Sequence, residues 1–250
     1  YINTPQTILY DKSKILYGLN LTKKDIKKAN SVVIVEGEVD LISSWQAGIK
    51  NIVAIKGSSL TQEQVKLLSR FSQEIILALD SDVAGNTAAR RGIEIAEKDG
   101  FDIRVAKLGN FKDPGEPGVK DPDFLKKSIT DAIGVWDYVI ESVFSKNKGE
   151  GGTSKAKLSR EIVPVLSSIG DKIVQAHYVG RVAKMLGVSV EAVFEQISSK
   201  ILEKEVDKND LVILKKPDRK DRREILEERL LAIVFKYDPK LILKPEIYSI

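Results

Sequence analysis

The sequence predicts an α/β fold: an open, mostly parallel sheet with flanking helices, followed by an α-helical subdomain. Three observations carry this. Short β-branched runs alternate with helical stretches between about residues 31 and 128. Two of those runs finish in acidic residues, and beyond residue 129 the β-type runs stop while helical periodicity continues. Strand, helix, strand in that order reads as parallel strands joined by right-handed crossovers.

Residues 1–30 form an N-terminal segment, extended at first around Pro5, in which Lys12, Lys14, Lys23 and Lys24 interleave with Tyr10 and Tyr17. Basic residues beside aromatics suit phosphate contact and base stacking. They also suit a solvated helix face with its tyrosines packed inward. Thr22 with Asp25 has the form of a capping box, opening a short helix to about Asn30. Strands are expected at 32–35, 52–55, 75–79 and 103–106, and helices at about 39–47, 62–71 and 84–98. Thr61 with Gln64 supplies a second capping signal, and Trp45 is expected on the buried side of its helix. Ala84, Gly85, Ala88 and Ala89 are small enough to let their helix press close to the sheet.

The stretch 109–122 is rich in Gly, Pro and Asp and reads as a loop that returns Asp121 and Asp123 to the acidic edge. Residues 129–205 read as a helical subdomain. Its first helix, 133–145, carries Trp136, Tyr138, Val139 and Phe144 as anchors, and a glycine-rich link follows. Helical stretches at 158–169 and 176–201 come next, the second interrupted at Gly187. That interrupted segment has the outline of a helix-turn-helix. Few basic side chains sit on its second helix, which favours a packing unit over a reader of DNA, and His177 reads as a helix-packing residue. Residues 206–223 are a charged linker, and 224–250 resume an apolar-faced helix that opens a further domain.

The chemistry is concentrated at two strand ends. The run 32–35 ends in Glu36-Gly37 with Asp40 beyond, and the run 75–79 ends in Asp80-Ser81-Asp82. Strand C-termini of a parallel sheet share one edge, where ligands bind. Glu36, Asp80 and Asp82 would meet there, and crowded carboxylates demand either protonation or a cation. Magnesium takes hard oxygen ligands and leaves positions for water and phosphate, which points to phosphoryl-transfer chemistry. The plain alternative is that these acids cap helices and solvate strand ends.

Composition narrows the class. The 250 residues carry 40 basic and 36 acidic side chains, a formal charge of +4 that leans only weakly toward polyanions. There is no cysteine, which excludes disulfides and cysteine-based zinc sites within these residues. No apolar run approaches a membrane span, so a soluble, cytoplasmic protein without membrane partners is expected. The first residue is Tyr1 rather than methionine, and a piece of a longer chain is expected.

E-G-x-x-D at 36–40 followed by D-x-D at 80–82 resembles the Toprim fold, a Rossmann-like, mostly parallel sheet found in bacterial primases, topoisomerases and some nucleases. YINTPQT at 1–7, the K-x-x-x-LYGL form at 12–19, AGIKNIVAIKGSSLT at 47–61, ALDSDVAGNTAARRGIE at 78–94 and KDPDFL at 120–125 are similar to DnaG-type bacterial DNA primase. The resemblance implies a Toprim domain at 31–128 and the start of a helicase-binding domain at 224–250. It implies that Glu36, Asp80 and Asp82 are the catalytic, metal-binding acids, that Asp40 supports them, and that Asp121 and Asp123 extend the metal set. It further implies that Lys12, with Asn3 in the same motif, contacts nucleotide and template. The implied activity is metal-dependent joining of ribonucleoside triphosphates into short RNA primers on single-stranded DNA, with Mg2+ or Mn2+, no zinc in this chain, and a replicative helicase as partner. A Toprim nuclease, a topoisomerase and a non-catalytic nucleic-acid- or helicase-binding module are the alternatives. The sequence departs from the family pattern at Ser81, where glycine is usual, and at Glu38, where an aromatic is common. A second acidic motif, KDPG at 112–115, precedes KDPD, so the resemblance leaves Asp113, Asp121 and Asp123 open as the completing acid.

Overall fold

Among the described residues, five strands make one sheet in the order β2-β1-β3-β4-β5, parallel except for the antiparallel pair β4-β5. The computed structural model describes residues 7, 11–55, 57, 59–79, 87–147 and 152–200. The strands are β1 (Ser31–Val35), β2 (Ile52–Ala54), β3 (Glu74–Leu77), β4 (Asp102–Val105) and β5 (Ile133–Gly134). The two-residue β5 corrects the expectation that β structure ends by residue 129. It pairs Val105 with Ile133 and Arg104 with Gly134, too short a stretch to show any period in sequence.

Alternation along the buried strands feeds two cores, since successive side chains of a strand point to opposite faces. Val32, Ile34, Ile75, Leu77, Ile103 and Val105 face one side. Helices α1 (Leu19–Ala29), α3 (Gln62–Leu68) and α4 (Thr87–Lys98) cover that side through Ile26, Val65, Leu68, Ile93 and Ala96. Val33, Val35, Ile76 and Ala78 face the other side, under α2 (Glu38–Gln46), α5 (Gly115–Lys120) and α6 (Pro122–Thr130), which contribute Leu41 and Leu125. The first core continues without a break into the helical region: α7 (Val135–Lys146), α8 (Gly152–Ser168), α9 (Lys172–Leu186) and the helical residues 190–200. Trp136, fully inside as expected, donates its indole N–H to Glu97 on α4 at 2.5 Å, tying that region to the sheet. Burial holds the Glu97 carboxyl above the usual carboxylate range, against the lowering effect of that hydrogen bond. Within the helical region Asp137 of α7 holds α9, accepting from Tyr178 at 3.1 Å and pairing with Arg181. The Tyr178 hydroxyl is pushed up to about 12, first by burial and then by the Asp137 charge.

Several expectations need correction. Thr22 does not open α1. The helix starts at Leu19, and the Thr22 hydroxyl, inside it, donates back to the Gly18 carbonyl at 3.2 Å. Gly18 enters the helix with φ 86°, a left-handed conformation that favours glycine. Trp45 is 42% exposed rather than core, because only Leu41, Ser43 and Ser44 of α2 are buried. The Lys50 ammonium lies 3.3 Å from the Trp45 ring centre. His177 is exposed, its ring edge-on to Tyr178, so it is no interior packing residue. The stretch expected as one loop at 109–122 folds instead into α5 and the start of α6. Thr61 and Gln64 do form the expected capping box at α3, and Gly187, at φ 63°, ends α9.

Candidate active site

The strand C-termini converge on one edge, and the acids sit there because each β-run gives way to polar residues as it leaves the core. Glu36 follows β1 directly. It is half-buried, with one carboxylate oxygen shut off from solvent. Gly37 starts α2, and its N–H donates to Asp40 Oδ2 at 3.1 Å. That bond places the Asp40 carboxylate over the first turn of α2, where the helix dipole favours negative charge.

The loop after β4 brings the next acid. Asp113 is half-buried, and its Oδ1 accepts from the Glu116 N–H at 2.9 Å as α5 begins. A Cβ on Gly115 would stand 2.8 Å from Asp40 Oδ1 and 3.3 Å from Asp113 Oδ1. The two carboxylates therefore flank one bare piece of backbone that only glycine leaves open. Gly118, one turn on, presses against the backbone of Ser43 and Ser44, and its Cβ would meet the Ser43 carbonyl carbon at 3.0 Å. The helix α5 thus runs along α2 from Asp40 toward its far end.

Asp121 and Asp123, expected to extend the metal set, have local partners on α6. Lys126 of α6 lies beside Gly48, past the end of α2, while Phe124 packs against Gly109 and Phe111 of the loop after β4. Asp121 caps α6, accepting from the Phe124 N–H at 3.0 Å. Asp123 is 93% exposed and pairs with Lys126 at 3.1 Å. Of the three acids left open, Asp113 is the one the fold delivers to Asp40. Asp80 and Asp82 lie outside the described residues. Pairing at their strand continues to Ala78, whose N–H donates to the Ile34 carbonyl, and Leu79 follows at the acidic edge.

The Lys12 backbone comes to the end of β2, where its carbonyl shares the Gln64 amide with that of Ile55, and Asn3 lies outside the described residues. Tyr17 and Ala54 exchange backbone hydrogen bonds at 2.9 and 3.1 Å, fastening this segment to β2. The buried Gln64 amide reaches the carbonyls of Lys12 and Ile15. Sequence reasoning read Thr61 and Gln64 only as a helix cap and missed this second connection. A groove of about 570 Å³ between α1 and α2, lined by Tyr17, Leu21, Ile42 and Trp45 among others, is apolar and contains no acid. It is separate from the carboxylates.

The donors at the edge are all hard oxygens, which fits magnesium or manganese and not a thiolate or imidazole metal. Among the described residues no three acidic, histidine or cysteine side chains group closely enough to hold an ion by themselves. Glu36, Asp40 and Asp113 are the ones that line the edge.

The chain is similar to known proteins over most of its length. The Toprim-like family profile matches residues 33–117, a span that takes in Glu36, Asp40, Asp80, Asp82 and Asp113 and ends before Asp121. A second profile, the DnaB-helicase binding domain of primase, matches residues 137–191 on α7 to α9, well before the expected 224–250. The DNA primase of Clostridium acetobutylicum is 32% identical over 202 residues, covering 80% of this chain and 34% of that protein. The DNA primase of Deinococcus radiodurans is 27% identical over 248 residues, covering 98% of this chain and 43% of that one. The chain therefore spans roughly a third to two fifths of the curated relatives it matches. Among solved structures, the DnaG primase catalytic domain bound to single-stranded DNA superposes with a TM-score of 0.61 at 26% identity, over 77% of this chain and 62% of that one.

Proposed function

We propose that this chain, a relative of the DnaG-type bacterial primases by both sequence and fold, carries the nucleotidyl-transfer site of a DNA primase, which joins ribonucleoside triphosphates into short RNA primers on a single-stranded DNA template during replication. The observation that carries this is the convergence of Glu36, Asp40 and Asp113 on the strand edge that also receives the end of β3, within a span similar to the Toprim-like family.

Each group has a role that follows from its placement. Glu36, with Asp80 and Asp82, would hold the divalent ions, Mg2+ or Mn2+ in its place. When bound, such ions stabilise charge on attacking and leaving oxygens in phosphoryl transfer. Asp40 keeps Gly37 in place through its N–H bond and adds negative charge beside Glu36. Asp113, held by the Glu116 N–H, adds negative charge from the β4 side. Lys12, pinned near the end of β2, is positioned to meet phosphate oxygens of nucleotide or template. Single-stranded DNA would bind chiefly through its phosphates, so affinity should fall with salt. The helices matching the DnaB-helicase binding domain of primase would engage the replicative helicase. No helix among the described residues is long and apolar enough to cross a membrane, and a cytoplasmic setting fits a replication enzyme.

Asp80→Asn and Asp82→Asn test the reading. Each is expected to weaken Mn2+ binding by this chain and, in the full-length protein, to abolish primer synthesis. Primer synthesis retained in both variants would refute it.

A further inference from the structure

We infer that Gln64 is a positioning residue for Lys12, holding the phosphate-contacting segment in register with the acidic edge. The inference rests on the reading of Lys12 given above.

Gln64 is only 1% exposed. Its Oε1 accepts the Thr61 N–H at 3.1 Å, which is all that the helix cap requires, and a glutamate would do that equally well. The other end of the amide does something a glutamate cannot. Nε2 donates to the carbonyls of Lys12 at 3.1 Å, Ile15 at 3.0 Å and Ile55 at 3.4 Å. A carboxylate there would set negative oxygen against three carbonyl oxygens with no water to screen them. The amide is therefore demanded by this clasp and not by the cap. Thr61 reinforces it, its hydroxyl donating to the Ser13 carbonyl at 2.5 Å. Within the segment, Asp11 accepts from the Ser13 N–H and hydroxyl at 3.0 and 2.6 Å, closing a turn that presents Lys12.

The clasp connects directly to the acids. The Ile55 N–H donates to the Val35 carbonyl at 3.1 Å, and Val35 immediately precedes Glu36. Glu36 and Lys12 are thus joined through Val35, Ile55 and Gln64, from the end of β1 across the end of β2 to the start of α3. A positively charged side chain held this way keeps a fixed separation from the carboxylates, as a site must that accepts a triphosphate between metal ligands and a cation.

The test compares Gln64→Met, which keeps length but removes the donor, with Lys12→Ala, the double variant, and Thr61→Val beside its conservative partner Thr61→Ser. ATP affinity in the presence of Mn2+, Mn2+ affinity alone and tryptic cleavage after Lys12 are measured on the 250-residue chain, with circular dichroism reporting the fold. Gln64→Met is expected to weaken ATP binding about tenfold, as Lys12→Ala does, corresponding to loss of one hydrogen bond to a charged group. The double variant should be no worse than Lys12→Ala, Mn2+ affinity should stay unchanged, and cleavage after Lys12 should accelerate. Thr61→Val should show the same pattern, weaker, and Thr61→Ser should restore it. Should Gln64→Met lose the fold, the Thr61 pair decides. If Lys12→Ala weakens ATP binding while Gln64→Met and Thr61→Val do not, or if the effects of Lys12 and Gln64 multiply, the positioning role is overturned. If Lys12→Ala itself binds ATP like the wild type, or the wild type binds none, the underlying reading of Lys12 fails instead.

Discussion

Gly118→Ala and Gly180→Ala are the same substitution on two helices, and the structure predicts different outcomes. An ideal Cβ on Gly180, inside α9, has nothing within 4 Å, so alanine there should gain the helix-propensity difference of about 1 kcal/mol. A Cβ on Gly118 would sit 3.0 Å from the Ser43 carbonyl carbon and 3.1 Å from both Ser43 O and Ser44 N. Carbon atoms pack comfortably at about 3.5–4.0 Å, and the atoms in the way are backbone that cannot rotate aside. The helices α2 and α5 would have to part by several tenths of an ångström, an overpacking cost of about 1–3 kcal/mol. Because the propensity gain is common to both variants, the difference between them isolates that cost. At about 2–4 °C per kcal/mol for a domain of this size, Gly180→Ala should melt about 2–12 °C higher than Gly118→Ala by calorimetry. Gly118→Ala should also weaken Mn2+ binding, since α5 begins beside Asp40 and Asp113. Equal melting temperatures would refute the close approach of α5 to α2, and with it the delivery of Asp113 to the acidic edge.

Three further outcomes follow from other parts of the molecule. Burial raises Glu97, so the folded state holds its proton above pH 4.5, where the unfolded chain has begun to release it; the stability this contributes is complete below the unfolded value and lost as pH rises through the folded one. Glu97→Gln should therefore gain in melting temperature relative to wild type as pH is raised from about 4.5 toward neutrality, and a difference independent of pH would contradict the assignment. Trp136→Ala should cost about 3–5 kcal/mol in denaturant titrations, whereas Trp45→Ala, half exposed under Lys50, should cost under about 1 kcal/mol. The slope of log affinity against log salt for single-stranded DNA should flatten by about 0.7 in Lys12→Ala, and an unchanged slope would remove Lys12 from phosphate contact.

Much of this was legible in the chain itself, for a local reason. Short, largely β-branched apolar runs such as 32–35 and 75–77 read as strands buried on both faces, and the polar residues that follow them mark where each strand leaves the core. Glu36 was read on that basis; it directly follows β1, with Asp40 in the first turn of α2. The cap formed by Thr61 and Gln64 was equally plain, because its two bonds lie within four residues.

Tertiary structure alone decided the rest. KDPG and KDPD look alike as strings, yet Asp113 shares the backbone of Gly115 with Asp40, while Asp121 caps α6 and Asp123 pairs with Lys126. Trp45 reads as core by residue type, but the buried stripe of α2 is Leu41, Ser43 and Ser44, whose backbone meets Gly118 of α5. Gln64 acquires its second task only when residues 12–15 fold over α3. Local sequence dictates which segments are strands and which ends are charged, since those preferences act within a few residues. Which charged ends share a site depends on how closely two helices can pack, and that is set by atoms far apart in the chain.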